Sequence, residues 1–346
     1  MAEGPRDCQG ASRRHFDQAY RGLPLGQEPV PRRRLSEMSS QAPPIEVQRA
    51  GWSTIGAYVA LTKPRIIELL LVTTLPTMVV AKHGLPSIWL MVATLVGGAL
   101  AAGGANAINM VVDRDIDKLM NRTKKRPLVT GAMTPRAALI FALTLEVAAF
   151  IELWTAVNLL SACLAVSATL FYVFVYTLWL KRRSSQNIVI GGAAGAVPVL
   201  VGWAAVTDSL SWAPIVLFAI IFIWTPPHFW SLAVRYKEDY AAADVPMLPV
   251  VASMKRTTRE IVLYTVVLVA VSLFFGPVAH LGLIYMVAAG ILGGGFLFMT
   301  ARLWSLARTD RATGREAMRV FSYSITYLTV LFIAMAGDVL ITNHIH

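Results

Sequence analysis

Asn109, Asp113 and Asp117 recur every four residues in the stretch "NMVVDRDIDKLMNRTKKRPL", directly behind an apolar, Gly/Ala-rich segment. If that segment continues as a helix, the three side chains share one face and span roughly 12 Å, while Asp115 lies on the opposite side. Such a face is a row of oxygen donors. Hard Mg²⁺ prefers oxygen and commonly binds through one or two carboxylates together with substrate phosphates. Arg122, Lys124, Lys125 and Arg126 follow, supplying cations for the charge of a diphosphate that a metal leaves unneutralised. The plain alternative is a basic loop whose carboxylates merely balance it. That suffices for Lys124 and Lys125, but it does not account for a repeat of four.

A second mixed-charge stretch, "RYKEDYAAADVPMLP", occupies 235 to 249. Glu238 and Asp239 are candidates to hold a second metal or orient the first, with Arg235 and Lys237 on phosphate; a solvated loop explains them about as well. Asp244 in the same stretch has no evident role. Lys181, Arg182 and Arg183 form a third basic group, followed by Asn187. His228 sits about 10 Å toward the membrane from Arg235 on a continuous helix. An intramembrane ionisable group is a functional candidate, and a lone histidine is as often a hydrogen-bonded packing residue. Glu68, Glu146, Glu152 and Asp338 also fall in or near apolar segments, where pairing across helices is expected. The two cysteines, Cys8 and Cys163, have no spacing for a metal knuckle or a disulfide framework.

The elements that must position these groups are membrane helices. With 56% hydrophobic and 15% charged residues in 346, the chain is an all-α polytopic membrane protein. Apolar stretches near the 20-residue bilayer requirement fall at 65–84, 88–110, 137–156, 160–180, 187–206, 212–234, 259–278, 282–301 and 320–341, which predicts a bundle of nine transmembrane helices. The +11 charge reads as topology rather than as a nucleic-acid surface. Lys and Arg concentrate in the tail and in alternate loops, and Lys82 is the single cation in the opposite set. The positive-inside rule then places the N-terminus and all three basic clusters in the cytoplasm and the C-terminus in the periplasm. Residues 1–52 read as a disordered, Arg/Pro-rich polar tail, with 53–346 as the membrane domain. The tail's six acidic residues argue against a mitochondrial transit peptide and favour a bacterial inner membrane.

These motifs together, namely the Asn109/Asp113/Asp117 repeat with "NRTKKRPL", "YTLWLKRRSSQNIVIGG", "TPPHFW" and "YKEDYAAADVPMLP", resemble the intramembrane prenyltransferase superfamily, in particular its heme-farnesylating branch. The likeness runs from about residue 55 to the C-terminus. It implies a nine-helix bundle, Mg²⁺ as cofactor, farnesyl diphosphate as donor and heme B as acceptor, with heme O as product for terminal oxidases. It further implies Asn109, Asp113 and Asp117 as catalytic and metal-binding residues, with Asp239 as a further ligand. Arg122, Arg126, Lys181, Arg182 and Lys237 are then expected on diphosphate, and His228, Tyr236 and Trp230 on the acceptor side. Expected partners are the bilayer and either heme A synthase or terminal oxidase assembly factors, with no nucleic acid. Met110 and the reduced Glu238-Asp239 pair depart from the wider superfamily and put a complete second metal site in doubt.

Three other readings compete. Prenylation of an aromatic quinone precursor or chlorophyll-type alcohol would share the diphosphate site and differ in the acceptor pocket. A secondary transporter would place its carboxylates near the bilayer midplane, whereas the clustered ones here lie at the edge beside cations. A non-catalytic heme-handling factor leaves a diphosphate-like site unexplained.

Overall fold

The computed structural model describes residues 52–345, without the side chains of 65–71 and 343–345; all of the tail expected at 1–52 except its last residue, and the side chain of Glu68, therefore lie outside the described residues. All regular structure among the described residues is helical. A short helix α1 (Thr54–Thr62) is capped by the Ser53 hydroxyl, which accepts from the Gly56 N–H, and precedes α2 (Pro64–Lys82). Then come α3 (Ile88–Val112) and the single turn α4 (Arg114–Asp117), followed by α5 (Pro135–Ala156) and α6 (Leu159–Leu170), which runs into a π-helical segment, Phe171–Leu180. Helices α7 (Asn187–Thr207) and α8 (Trp212–Arg235) follow. After them the chain makes two short helices, α9 (Lys237–Ala242) and α10 (Leu248–Val251), before α11 (Met254–Val278), α12 (Leu283–Arg308) and α13 (Gly314–Ile345).

Eight helices among the described residues are long and apolar enough to cross a membrane, and they coincide with eight of the nine expected spans. The remaining expected span, 65–84, is the 19-residue helix α2. Three helices run further at their basic ends than hydropathy suggests. Helix α11 begins at Met254, where Ser253 accepts from the Arg256 N–H at 3.2 Å, rather than at 259. Helices α12 and α13 likewise carry arginines in their extensions. Hydropathy marks only the hydrocarbon-buried part of a helix, whereas long basic side chains let it continue into the headgroup layer.

Each long helix packs on the next, α13 packs back on α2, and α7 and α8 lie inward of the others. That is why α7 and α8 are the most buried of the eight crossing helices. Small residues permit the closest approaches. At Gly97 and Gly104 of α3, a Cβ would lie 2.2 Å from a carboxylate oxygen of Glu152 and 2.6 Å from one of Glu146, both on α5. Glu146 accepts from Thr169 on α6 at 3.2 Å. Asp338 of α13 accepts the backbone N–H groups of Gly282 and Tyr285, capping α12 from a neighbouring helix. Asp244 also finds its reason: it holds a left-handed backbone, φ 51°, at the end of α9, a conformation that Asp tolerates better than most residues.

Candidate active site

Helix α3 ends at Val112, and Asp113 (φ −85°, ψ 6°) joins it to α4. The four-residue ladder survives that joint. Asp113 N–H donates to the Asn109 carbonyl and Asp117 N–H to the Asp113 carbonyl, both at 2.9 Å. Asn109, Asp113 and Asp117 therefore share an inward face, with 3, 0 and 3% exposure. Asp115 points the other way, with 62% of its side chain exposed.

Buried carboxylates require partners, and both have them. Lys181 pairs with Asp113 Oδ2, which also accepts from Asn109 Nδ2 at 2.7 Å. Arg126 donates to Asp117 Oδ2 at 2.6 Å. The other oxygen of Asp113, Oδ1, is buried without a hydrogen-bond partner; the Arg182 guanidinium lies 3.9 Å from it. An orphaned carboxylate oxygen in an all-oxygen donor set fits a hard divalent cation such as Mg²⁺. Among the described residues no group of three or more His, Cys, Asp or Glu could hold a metal, so substrate oxygens would have to complete the coordination.

Lys63 joins this cluster, and its position in the sequence did not single it out. It stands between α1 and α2 with φ 53°, an uncommon conformation for a lysine, and donates to Asn109 Oδ1 at 3.1 Å and Asn106 Oδ1 at 3.3 Å. Burial and then the positive charges of Arg126 and Lys181 lower its ammonium to about 7. The available signal was a lysine immediately before a helix-starting proline.

The π-helical segment explains how one helix serves both the membrane interior and the cation cluster. Tyr172 and Lys181 are nine residues apart, which in an α-helix sets them roughly 180° apart. Wider turns, seen in the Lys181 N–H bond to the Tyr176 carbonyl at 2.9 Å, bring both to the same cavity. Thr177 is held in the same way. It donates to the Tyr172 carbonyl at 2.8 Å and accepts from Asn109 at 3.2 Å.

That cavity encloses about 400 Å³. Lys63, Asn109, Asp117, Arg122, Arg126 and Lys181 border its polar end, with Asp113 buried behind them. The rest is mostly apolar, walled by small residues of α3, α6 and α7 and by Trp224, Phe229 and Leu232 of α8, with threonine and tyrosine side chains among them. Tyr240, Val245 and Met247 close it from the 235–249 stretch. An anion-binding mouth on an apolar pocket suits an amphiphile with a strongly charged head and a hydrocarbon tail.

Other expected residues lie elsewhere. Arg182 forks onto Asp115 at 2.6 and 2.7 Å, and that bond holds the Asp115 carboxyl down at about 2. Lys237 and Glu238 are exposed, and Asp239 accepts from Asn121 at 3.2 Å. Tyr236 lies under the Arg122 guanidinium at 5.7 Å. His228 is sandwiched between Trp224 and Phe321, with ring centroids 4.2 and 4.5 Å away, and its Nδ1 is 2.7 Å from Ser324 Oγ. Trp230 is buried against Tyr264, and its Nε1 lacks a hydrogen-bond partner.

Residues 70–336 match the UbiA prenyltransferase family. A protoheme IX farnesyltransferase of Renibacterium salmoninarum is 55% identical over 282 residues, 82% of this chain and 89% of that one. A protein of the same name from Streptomyces avermitilis is 53% identical over 292 residues, 84% and 96% of the two chains. The fold is similar to that of a UbiA homolog from Archaeoglobus fulgidus bound to DMAPP and Mg²⁺, with TM-score 0.58 and 18% identity over 82% of this chain and 98% of that one. It is also similar to a digeranylgeranylglyceryl phosphate synthase, with TM-score 0.68 and 16% identity over 83% and 98%.

Proposed function

This chain belongs to the UbiA prenyltransferase family, and from that membership we propose that it transfers the farnesyl group of farnesyl diphosphate to a vinyl group of heme B, with addition of water, giving heme O. The observation that carries the proposal is the buried Asn109/Asp113/Asp117 face, with its orphaned oxygen and surrounding cations, at the mouth of an apolar cavity. Relatives named protoheme IX farnesyltransferase over most of the chain support the acceptor. A homolog bound to a prenyl diphosphate and Mg²⁺ supports the donor class and the metal.

Asn109, Asp113 and Asp117 would hold Mg²⁺, which when bound neutralises part of the diphosphate charge. Lys63, Arg122, Arg126 and Lys181 stabilise the negative charge that grows on the leaving group as the C1–O bond breaks, in a site shielded from bulk water. The apolar walls receive the farnesyl chain and the porphyrin face. Electrons of the vinyl group form the new bond to C1, and water captures the cation left beside the macrocycle. Arg182 acts through Asp115 and the end of α3, and Asp239 steadies Asn121 rather than binding metal. His228, Trp230 and Tyr236 shape the acceptor side through α8. Residues 53–346 form the catalytic domain behind a polar tail of 52 residues. The cavity mouth faces the cytoplasm of a bacterial inner membrane, in keeping with the distribution of Lys and Arg. Heme A synthase or terminal oxidase assembly factors take the product.

The test is a competition. Purified protein with Mg²⁺ and farnesyl diphosphate is offered heme B and 4-hydroxybenzoate together, and products are weighed by mass spectrometry. A heme gaining farnesyl plus water is expected; a farnesylated benzoate overturns the acceptor, and full turnover without divalent metal overturns the metal's role.

A further inference from the structure

The proposed reaction ends with a water molecule inside a cavity that is mostly apolar beyond its charged mouth, and α7 offers a place for it. Three of the threonine hydroxyls bordering the cavity spend their protons inside the protein, Thr94 on the Leu90 carbonyl at 2.8 Å, Thr225 on the Ile221 carbonyl at 2.9 Å and Thr169 on Glu146, whereas the Thr74 hydroxyl on α2 has no hydrogen-bond partner. Ala194, Gly195 and Pro198 of α7 border it too. Pro198 stands inside the helix and has no N–H, so the Ala194 carbonyl four residues earlier lacks its helical donor. In a membrane interior such a carbonyl needs another.

Gly195, next to that carbonyl, is exposed, and a Cβ placed on it meets no atom within 4 Å. The glycines one turn away differ: a Cβ on Gly191 would lie 2.3 Å from the Tyr176 ring, and one on Gly192 2.8 Å from Thr225. Those two are needed for helix packing. Gly195 is not, although glycine is a poor residue for a helix interior. The bare backbone there faces cavity space. It lies about 10 Å toward the membrane centre from Asn187, whose side chain donates to the Lys181 carbonyl at 3.3 Å, and so one step beyond the charged mouth.

We propose that the Ala194 carbonyl and the uncovered Cα of Gly195 seat the water that is added to the substrate; this rests on the heme-farnesylation reading above. The C1–O bond breaks with its pair leaving on diphosphate, and the vinyl π pair forms the bond to C1. The seated water has one hydrogen on the Ala194 carbonyl and its lone pair forward. Its oxygen bonds to the carbon next to the macrocycle, and the surplus proton passes to the released diphosphate. Without that water, the cation instead loses a proton from the neighbouring CH₂ and yields an alkene lighter by one water.

The full chain in lipid nanodiscs, supplied with Mg²⁺, farnesyl diphosphate and heme B, is read for the ratio of hydroxylated to anhydro product by mass spectrometry. Pro198→Ala returns an N–H to the Ala194 carbonyl, and Gly195→Ala fills the seat with a methyl that clashes with no protein atom. Both variants are expected to consume the donor while the anhydro share rises several-fold, and Gly195→Ala should melt no lower than the parent. A Gly195→Ala enzyme that keeps the parent ratio overturns the proposal, as does one that folds but makes no product, which would give the space to the substrate itself. Should Pro198→Ala fail to fold, Gly195→Ala decides alone. A parent chain that makes no farnesylated heme overturns the underlying reading as well, and so the two failures are told apart.

Discussion

The stretches 109–126 and 235–249 look alike in sequence, each following an apolar helix with carboxylates and cations intermixed, yet the fold treats them oppositely. In the first, Asp113 and Asp117 are buried and each is bound to a cation. In the second, Lys237 and Glu238 face solvent, and the residues reaching the cavity are Tyr240, Val245 and Met247. Charge in a water-excluded site interacts strongly, whereas the same charge in solvent is screened. The first stretch therefore supplies the electrostatics and the second an apolar wall.

Exchanging roles between the stretches gives the largest expected effects. Asp113→Asn should lower kcat for heme O formation by about 100-fold or more, measured with saturating donor, while Asp239→Asn stays near wild type; equal losses would erase the distinction. Lys181→Met removes the partner of a fully buried carboxylate. A loss of about 10-fold in donor affinity, together with a lower Tm, is expected from titrations and melting curves, since an unpaired buried charge is destabilising. Tyr240→Ala opens the apolar wall and should raise the KM of one substrate by about 10-fold with a smaller change in kcat. At the small end, Lys237→Ala and Glu238→Gln should change kcat/KM by less than about 2-fold, as exposed charges contribute little.

Much of this was legible in the residues. The four-residue repeat placed Asn109, Asp113 and Asp117 on one face, and Asp115 off it, because a helical period survives even where α3 breaks at Asp113. Arg122, Arg126 and Lys181 were also anticipated and do border the cavity. Lys63 was not singled out, since its role comes from a left-handed backbone that turns it toward Asn109, and a single lysine before a proline does not announce that. The π-helical turns were equally hidden, because Phe171–Leu180 is mostly apolar and reads as an ordinary span.

By itself the sequence determined an all-helical membrane chain, the apolar middle of each of its long helices, and the face on which its first carboxylates lie. All of these follow from local periodicity and from the cost of polar groups in lipid. Only the tertiary structure decided which charges are buried, that Arg182 is committed to Asp115, that His228 is packed between two rings, and that Gly195 and Ala194 leave bare backbone on the cavity. Burial and free space belong to the arrangement of helices separated by many residues, and no local pattern encodes them.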